Sequence, residues 1–196
     1  MNTTNKKRLI TYIISIPVFL ILIAIDQFTK VLAVEHLKDQ PPVDIIKGVL
    51  QLTYVQNTGA AWGLMDGWKV FFIIITSLML IAIVFIFAIT PMIKKYDAIR
   101  ALLVVLAAGA VGNLIDRVMN GYVHDFIYFQ IIDFPVFNVA DICVTVSMFA
   151  LMILVIFKYK DEDDFNYIKD FFCKKKTVQV NSEEKKITEE SNADAE

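Results

Sequence analysis

Four uninterrupted apolar runs, each close to the length that crosses a hydrocarbon core, restrict what this chain can become. A spanning helix needs roughly 20 apolar residues. The runs lie near Leu9–Ile25, Val70–Ile89, Ala98–Ile115 and Val139–Phe157. The first is short, but DQFTKVLAV continues it for two more turns. Hydrophobic residues make up 57% of the 196. That exceeds the share of about 45–50% usual in globular domains, and the excess is concentrated in these runs. Lys6, Lys7 and Arg8 precede the first run as they would in a secretory signal peptide, yet no small-residue cleavage pattern follows before DQFTK. The run is read as an uncleaved span.

Basic residues orient the spans. Lys6–Arg8, then Lys94, Lys95 and Arg100, then Lys158, Lys160 and Lys174–Lys176 fall on one side of a four-span chain. The positive-inside rule makes that side cytoplasmic, with both termini on it. The two longer loops, about 36–68 and 118–137, then face outward. Asp26 and Lys30 on span one, Asn113, Asp116 and Arg117 on span three, and Asn138 and Asp141 on span four all come to the outer leaflet boundary. Random polar intrusions would scatter in depth.

In the first outer loop, VLQLTYVQ alternates like a half-buried strand, and NTGAAWG follows, with Gly59 and Gly63 permitting tight backbone geometry. In the second loop, GYVHDFIYFQIIDF places Val123, Asp125, Ile127 and Phe129 on one face of a strand and Tyr122, His124, Phe126 and Tyr128 on the other. The expected fold is a four-transmembrane-helix bundle, residues 1–158, carrying a small outward-facing β-sheet. Residues 159–196, rich in both charge signs, are expected to form a partly disordered cytoplasmic tail, with a short helix at the membrane surface within DEDDFNYIKDFF. Cys143 and Cys173 are poorly placed to pair, and no CxxC or HExxH spacing is present, so neither a disulfide framework nor a metal site is expected. Nothing in the charge distribution points to nucleic acid.

Residues three or four apart share a helix face. Asp26 and Lys30 are i, i+4 with the acid first. Asn113, Asp116 and Arg117 group on span three, where Ala108 and Gly112 also form a small-xxx-small pair that admits a neighbouring helix. Read from the residues alone, Lys30, Asp116 and Arg117 are ion-pairing groups, because charges at membrane depth usually pair. Asn57, Asn113 and Asn138 are then hydrogen-bonding amides, His124 is a surface residue, and Trp62 and Trp68 are interfacial anchors. Asp125 and Asp141 differ. Neither has a basic residue at helical or strand-neighbour spacing. Two such carboxyls at one depth are expected to titrate apart, one protonated and one ionised, which is what aspartic proteases use. A proton- or ion-coupled transporter is the alternative, but no polar groups line the inner half of the spans. A non-catalytic scaffold would gain nothing from unpaired aspartates.

DQFTK, NTGAAWG, GAVGNLIDR, VHDFI and FNVADICV, taken in order over about residues 8–158, resemble the motif set of lipoprotein signal peptidases (signal peptidase II), membrane aspartic peptidases of bacteria. The resemblance implies that Asp125 and Asp141 are the catalytic pair. It implies that Asn57, Asn113, Arg117 and Asn138 line the substrate site, and that Asp26, Lys30 and Asp116 are structural. It implies hydrolysis of diacylglyceryl-modified prolipoproteins just before the lipidated cysteine, in the bacterial cytoplasmic membrane, with no metal or organic cofactor and no obligate protein partner. His124 stands where a small apolar residue is more usual before the first aspartate, and the charged tail exceeds what the family needs.

Overall fold

The computed structural model describes residues 3–59, 67–171 and 173. Trp62 and Gly63, and the tail from residue 174 on, lie outside the described residues. Four helices dominate: α1 (Thr3–Leu37), α2 (Lys69–Ile89), α3 (Asp97–Met119) and α4 (Val139–Phe157). All four are long and apolar enough to cross a membrane. Helices suit that setting because every backbone donor and acceptor is satisfied within the segment. The first continues through Asp26, Gln27 and Lys30, as DQFTKVLAV implies, and ends at Leu37. Those polar side chains turn into the bundle, so lipid-facing positions stay apolar.

Helix α3 is the hub. Of its most apolar stretch 61% is buried, against 6%, 6% and 11% for α1, α2 and α4. The small residues AAGAVG permit this. A Cβ on Gly109 would lie 2.5 Å from the Ala140 carbonyl oxygen of α4, and one on Gly112 would lie 2.5 Å from Asp26 Oδ2 of α1. Close approach thus uses both glycines, and the expected Ala108–Gly112 pair captures only half of it.

At one end of the bundle sits an antiparallel sheet of β1 (Val43–Ile46), β2 (Leu50–Asn57) and β3 (Val123–Phe129), in that order. Strands β2 and β3 are the two that alternation predicts. Strand β1 has only four residues, all exposed, so no alternation betrays it. Gly48, at φ +74°, turns the chain between β1 and β2. Strand β3 is bridged on its far side by Phe137, whose N–H donates to Ile127 O (2.9 Å) and whose carbonyl accepts from Phe126 and Ile127. That bridge delivers Asn138, and with it the start of α4, to the side of β3. Ala33, Leu37 and Phe126 form the apolar floor between sheet and helices.

The opposite end is closed by residues that follow α4. Packing continues past the boundary expected at Lys158. Tyr159 is buried and stacks on Tyr96 at 5.6 Å between ring centres. The Tyr96 hydroxyl donates to the Asp164 carbonyl (2.9 Å), and Lys95 pairs with the Asp164 carboxylate. Phe165 and Tyr167 pack on the same cluster. The aromatic residues interleaved with DEDD thus carry a folded clasp that the charge pattern conceals.

Candidate active site

Lys30 is 2% exposed, and its ammonium donates to three acceptors: Asp26 Oδ2 (2.9 Å), Asp116 Oδ2 (3.0 Å) and Asn113 Oδ1 (3.0 Å). An ammonium has three donors, so the set is complete. Asp26 Oδ1 accepts the Ala140 N–H at the start of α4 (2.9 Å), and Asp116 Oδ2 accepts the His124 N–H of β3 (3.2 Å). This buried triad therefore ties α1, α3, α4 and β3 together. The expected Asp26–Lys30 pair is present. An Asp116–Arg117 pair is not, because neighbouring helix residues diverge and do not face each other. Arg117 instead lies over the Phe72 ring (5.0 Å) and donates from Nη2 to the Gly59 carbonyl (3.3 Å).

Around the triad, three asparagines orient two carboxylates. Each amide has a forced direction. Asn113 must turn its oxygen to Lys30, so its Nδ2 donates to Asp141 Oδ1 (2.7 Å). Asn138 caps α4: its Oδ1 accepts the Asp141 N–H (3.0 Å), while Asp141 Oδ2 accepts the Asn138 N–H (3.0 Å), a reciprocal capping box. The Asn138 Nδ2 is thereby left to donate to Asp125 Oδ1 (2.7 Å) and Asn113 Oδ1 (3.1 Å). Asn57 Oδ1 accepts the Gly59 N–H (3.0 Å), so its Nδ2 donates to Asp125 Oδ2 (2.8 Å). Asn138 thus touches both aspartates. It is wholly buried (0% exposed), which agrees with the dyad-orienting side of its expected role.

Asp125 is 2% exposed. Burial, and then the charge of Asp141, push its pKa up to about 7, although the amides of Asn57 and Asn138 work the other way. His124, next in sequence, points to other neighbours: Nδ1 meets the Tyr54 hydroxyl (2.7 Å) and Nε2 meets Asn120 Nδ2 (3.2 Å). Burial holds its imidazole below the usual value.

The two aspartates open onto one cleft of about 480 Å³, whose walls include Asn57, Gly59, Arg117, Phe134, Phe137 and Thr145. One flank is the turn after β3, where Phe129 stacks with Phe137 and Phe134 meets Phe137 edge-on. The other is the outward face of α4, where Ile142 and Val146 are exposed. A second groove of about 230 Å³ between α1, α2 and α3 carries no carboxylate, amide or basic group. All nine residues singled out from the sequence gather at the first cleft or in the triad behind it. Gln27 was missed: its Nε2 donates to Asp26, Asp116 and the Gly112 carbonyl. The signal was its place beside Asp26 in an otherwise apolar run. The aromatic flank was also missed, because it reads as ordinary loop hydrophobicity.

Comparison with known proteins gives a consistent result. The family model described as Signal peptidase (SPase) II matches residues 18–157. The chain is 40% identical over 133 residues to the lipoprotein signal peptidase of Brevibacillus brevis, covering 68% of this chain and 88% of that one. It is 35% identical over 158 residues to the lipoprotein signal peptidase of Streptococcus pyogenes, covering 81% and 97%. A solved bacterial membrane enzyme superposes with a TM-score of 0.66 at 35% identity, covering 76% of this chain and 92% of that one. Another superposes at 0.63 and 36%, covering 74% and 93%.

Proposed function

The chain belongs to the signal peptidase II family, and from that premise we propose that it removes signal peptides from diacylglyceryl-modified bacterial prolipoproteins. It hydrolyses the bond just before the lipidated cysteine, using Asp125 and Asp141 as an aspartic dyad. The observation that carries this reading is the pair of carboxylates held by one buried asparagine at the wall of a single cleft.

The chemistry follows from the aspartic dyad. Water, activated by the ionised carboxylate, adds to the scissile carbonyl while the protonated carboxyl hydrogen-bonds its oxygen. Proton transfer of this kind contributes typically 10²–10⁴-fold, and positioning supplies much of the rest. Arg117 and Asn57, both on the cleft wall, hold the substrate backbone extended, because a helical scissile bond is hydrogen-bonded and sterically hidden. The signal helix arrives from lipid along the exposed face of α4, and the diacylglyceryl chains stay in the bilayer. In this reading both termini are cytoplasmic and the cleft lies near the outer leaflet of the cytoplasmic membrane, a topology that the asymmetry of lysines and arginines supports. No obligate protein partner is invoked.

The test is reconstitution with a diacylglyceryl-modified precursor. The unaltered protein should release the signal peptide, and Asp125→Asn and Asp141→Asn should each lose roughly 10²–10⁴-fold or more. Ordinary cleavage by either variant would remove that residue from the dyad, and no cleavage by the unaltered protein would overturn the peptidase reading.

A further inference from the structure

Hydrolysis by a dyad needs one carboxyl protonated and one ionised, and the two aspartates are held in different ways. Asp141 occupies the third position of α4 within the capping box. Its carboxylate therefore faces the partly positive end of a helix and accepts a backbone N–H. Its other oxygen accepts from Asn113 Nδ2, and Asn113 is locked because its carbonyl accepts from the Lys30 ammonium. Arg117 lines the same cleft. Asp125 lies on a strand, where backbone dipoles nearly cancel. Among the described residues, the side-chain donors it meets are the neutral amides of Asn57 and Asn138. The charged groups packed around the pair are Asp26 and Lys30 from α1, and Asp116 and Arg117 from α3; His124 adjoins Asp125 on β3. The Lys30 charge is met directly by Asp26 and Asp116. Its most specific influence on the dyad is thus the direction it imposes on Asn113.

We propose that Asp125 holds the dyad's proton, that Asp141 is the ionised base, and that Asn113, locked by Lys30, is the positioning residue that fixes this division. The proposal rests on the peptidase reading and assigns each aspartate its task. Asp141 takes a proton from water as the water oxygen bonds to the scissile carbonyl carbon. Asp125 gives its proton to the carbonyl oxygen. The tetrahedral diol then collapses. Asp141 passes its proton to the departing nitrogen, the C–N bond breaks, and a diol hydroxyl returns its proton to Asp125. Both carboxyls end as they began. The raised affinity of Asp125 for a proton, with a pKa of about 7, agrees with this seat for it.

Two asparagine variants distinguish the roles through the pH profile of kcat/KM. Each removes a donor from one carboxylate and makes that group easier to protonate, by roughly one pH unit. Asn113→Ala acts on Asp141. If Asp141 is the base, the acid limb moves up and the alkaline limb stays. Asn57→Ala acts on Asp125, and the alkaline limb moves up alone. The reverse pattern, or both limbs moving together in either variant, overturns the assignment, and an unmoved profile for Asn113→Ala overturns its positioning role. A measurement without substrate separates this proposal from the peptidase reading and from any loss of activity. The infrared carbonyl band of a buried protonated carboxyl should be present below neutral pH, vanish in Asp125→Asn and persist in Asp141→Asn. Any other pattern overturns the proposal even if the protein cleaves.

Discussion

Gly109→Ala adds one methyl group at a close helix crossing, and the site should register it. The new Cβ would lie 2.5 Å from the Ala140 carbonyl oxygen, 2.9 Å from Val144 Cγ2 and 3.0 Å from Cys143 Cβ. Ordinary contact begins at 3.4 Å, so α3 and α4 must part locally by about 0.9 Å. The first obstacle is backbone, which no rotamer change relieves. Overpacking of this kind costs roughly 1–3 kcal/mol, and the better helix propensity of alanine returns about 1 kcal/mol. The net loss of stability should stay below about 2 kcal/mol, so the variant should fold. Activity is more exposed. Asn113 lies one turn along the same face of α3, and Asp141 directly follows Ala140. The Asn113–Asp141 hydrogen bond is 2.7 Å long. A displacement near 0.9 Å would take it past the limit of a hydrogen bond. Misplacement of about 1 Å can cost about 10²-fold in rate. Turnover of a lipid-modified precursor in bilayers, with thermal unfolding in micelles as the folding control, measures both quantities. A folded variant with unchanged kcat refutes the reasoning, because the crossing would then be free to relax without moving the dyad.

Two further outcomes follow from the buried charges. Lys30→Met strands Asp26 and Asp116 without their cation, and breaking a buried pair this way costs roughly 3–5 kcal/mol. Thermal unfolding should show this loss, with part of it restored by adding Asp26→Asn; a loss no larger than that of Lys38→Met, at an exposed site, would count against the triad. Asp125 has a folded pKa of about 7 against roughly 3.9 unfolded, so the native state holds its proton more tightly. Its contribution to stability is full below about pH 4 and is lost as pH rises through about 7. Asp125→Asn should remove this dependence and stabilise the protein most above neutral pH, by up to about 4 kcal/mol. Parallel melting-temperature profiles for variant and parent between pH 5 and 8 would contradict it.

Much of this architecture is legible along the chain. Apolar runs of spanning length fall where α2 and α4 run almost residue for residue, because length and hydropathy alone decide that such a segment is helical in lipid. Alternation marks β2 and β3, since a half-covered sheet sorts its side chains by face. The short β1 escapes, having no buried face to record. A short helix within DEDDFNYIKDFF is legible, but its packing onto the bundle after α4 escapes for the opposite reason. A few aromatics among many charges suffice to pack Tyr159 and Tyr167 against Tyr96, yet composition averages them away.

The division is sharpest at the site. The order of residues is enough to mark which of them are costly at membrane depth. Asp125 and Asp141 lack local cations, and that is a property of spacing. It could also pair Asp26 with Lys30, which are neighbours on one helix face. Who meets whom across helices is settled by packing between distant elements. Asp116 belongs to Lys30 and not to Arg117, and Asn138, which from its position reads as a substrate or dyad-orienting contact, is buried between the two aspartates. The physical reason is that a side chain's direction along one helix follows from periodicity. The direction of an amide is set by what faces it from another element, and here a buried ammonium, a helix end and a strand make that choice together.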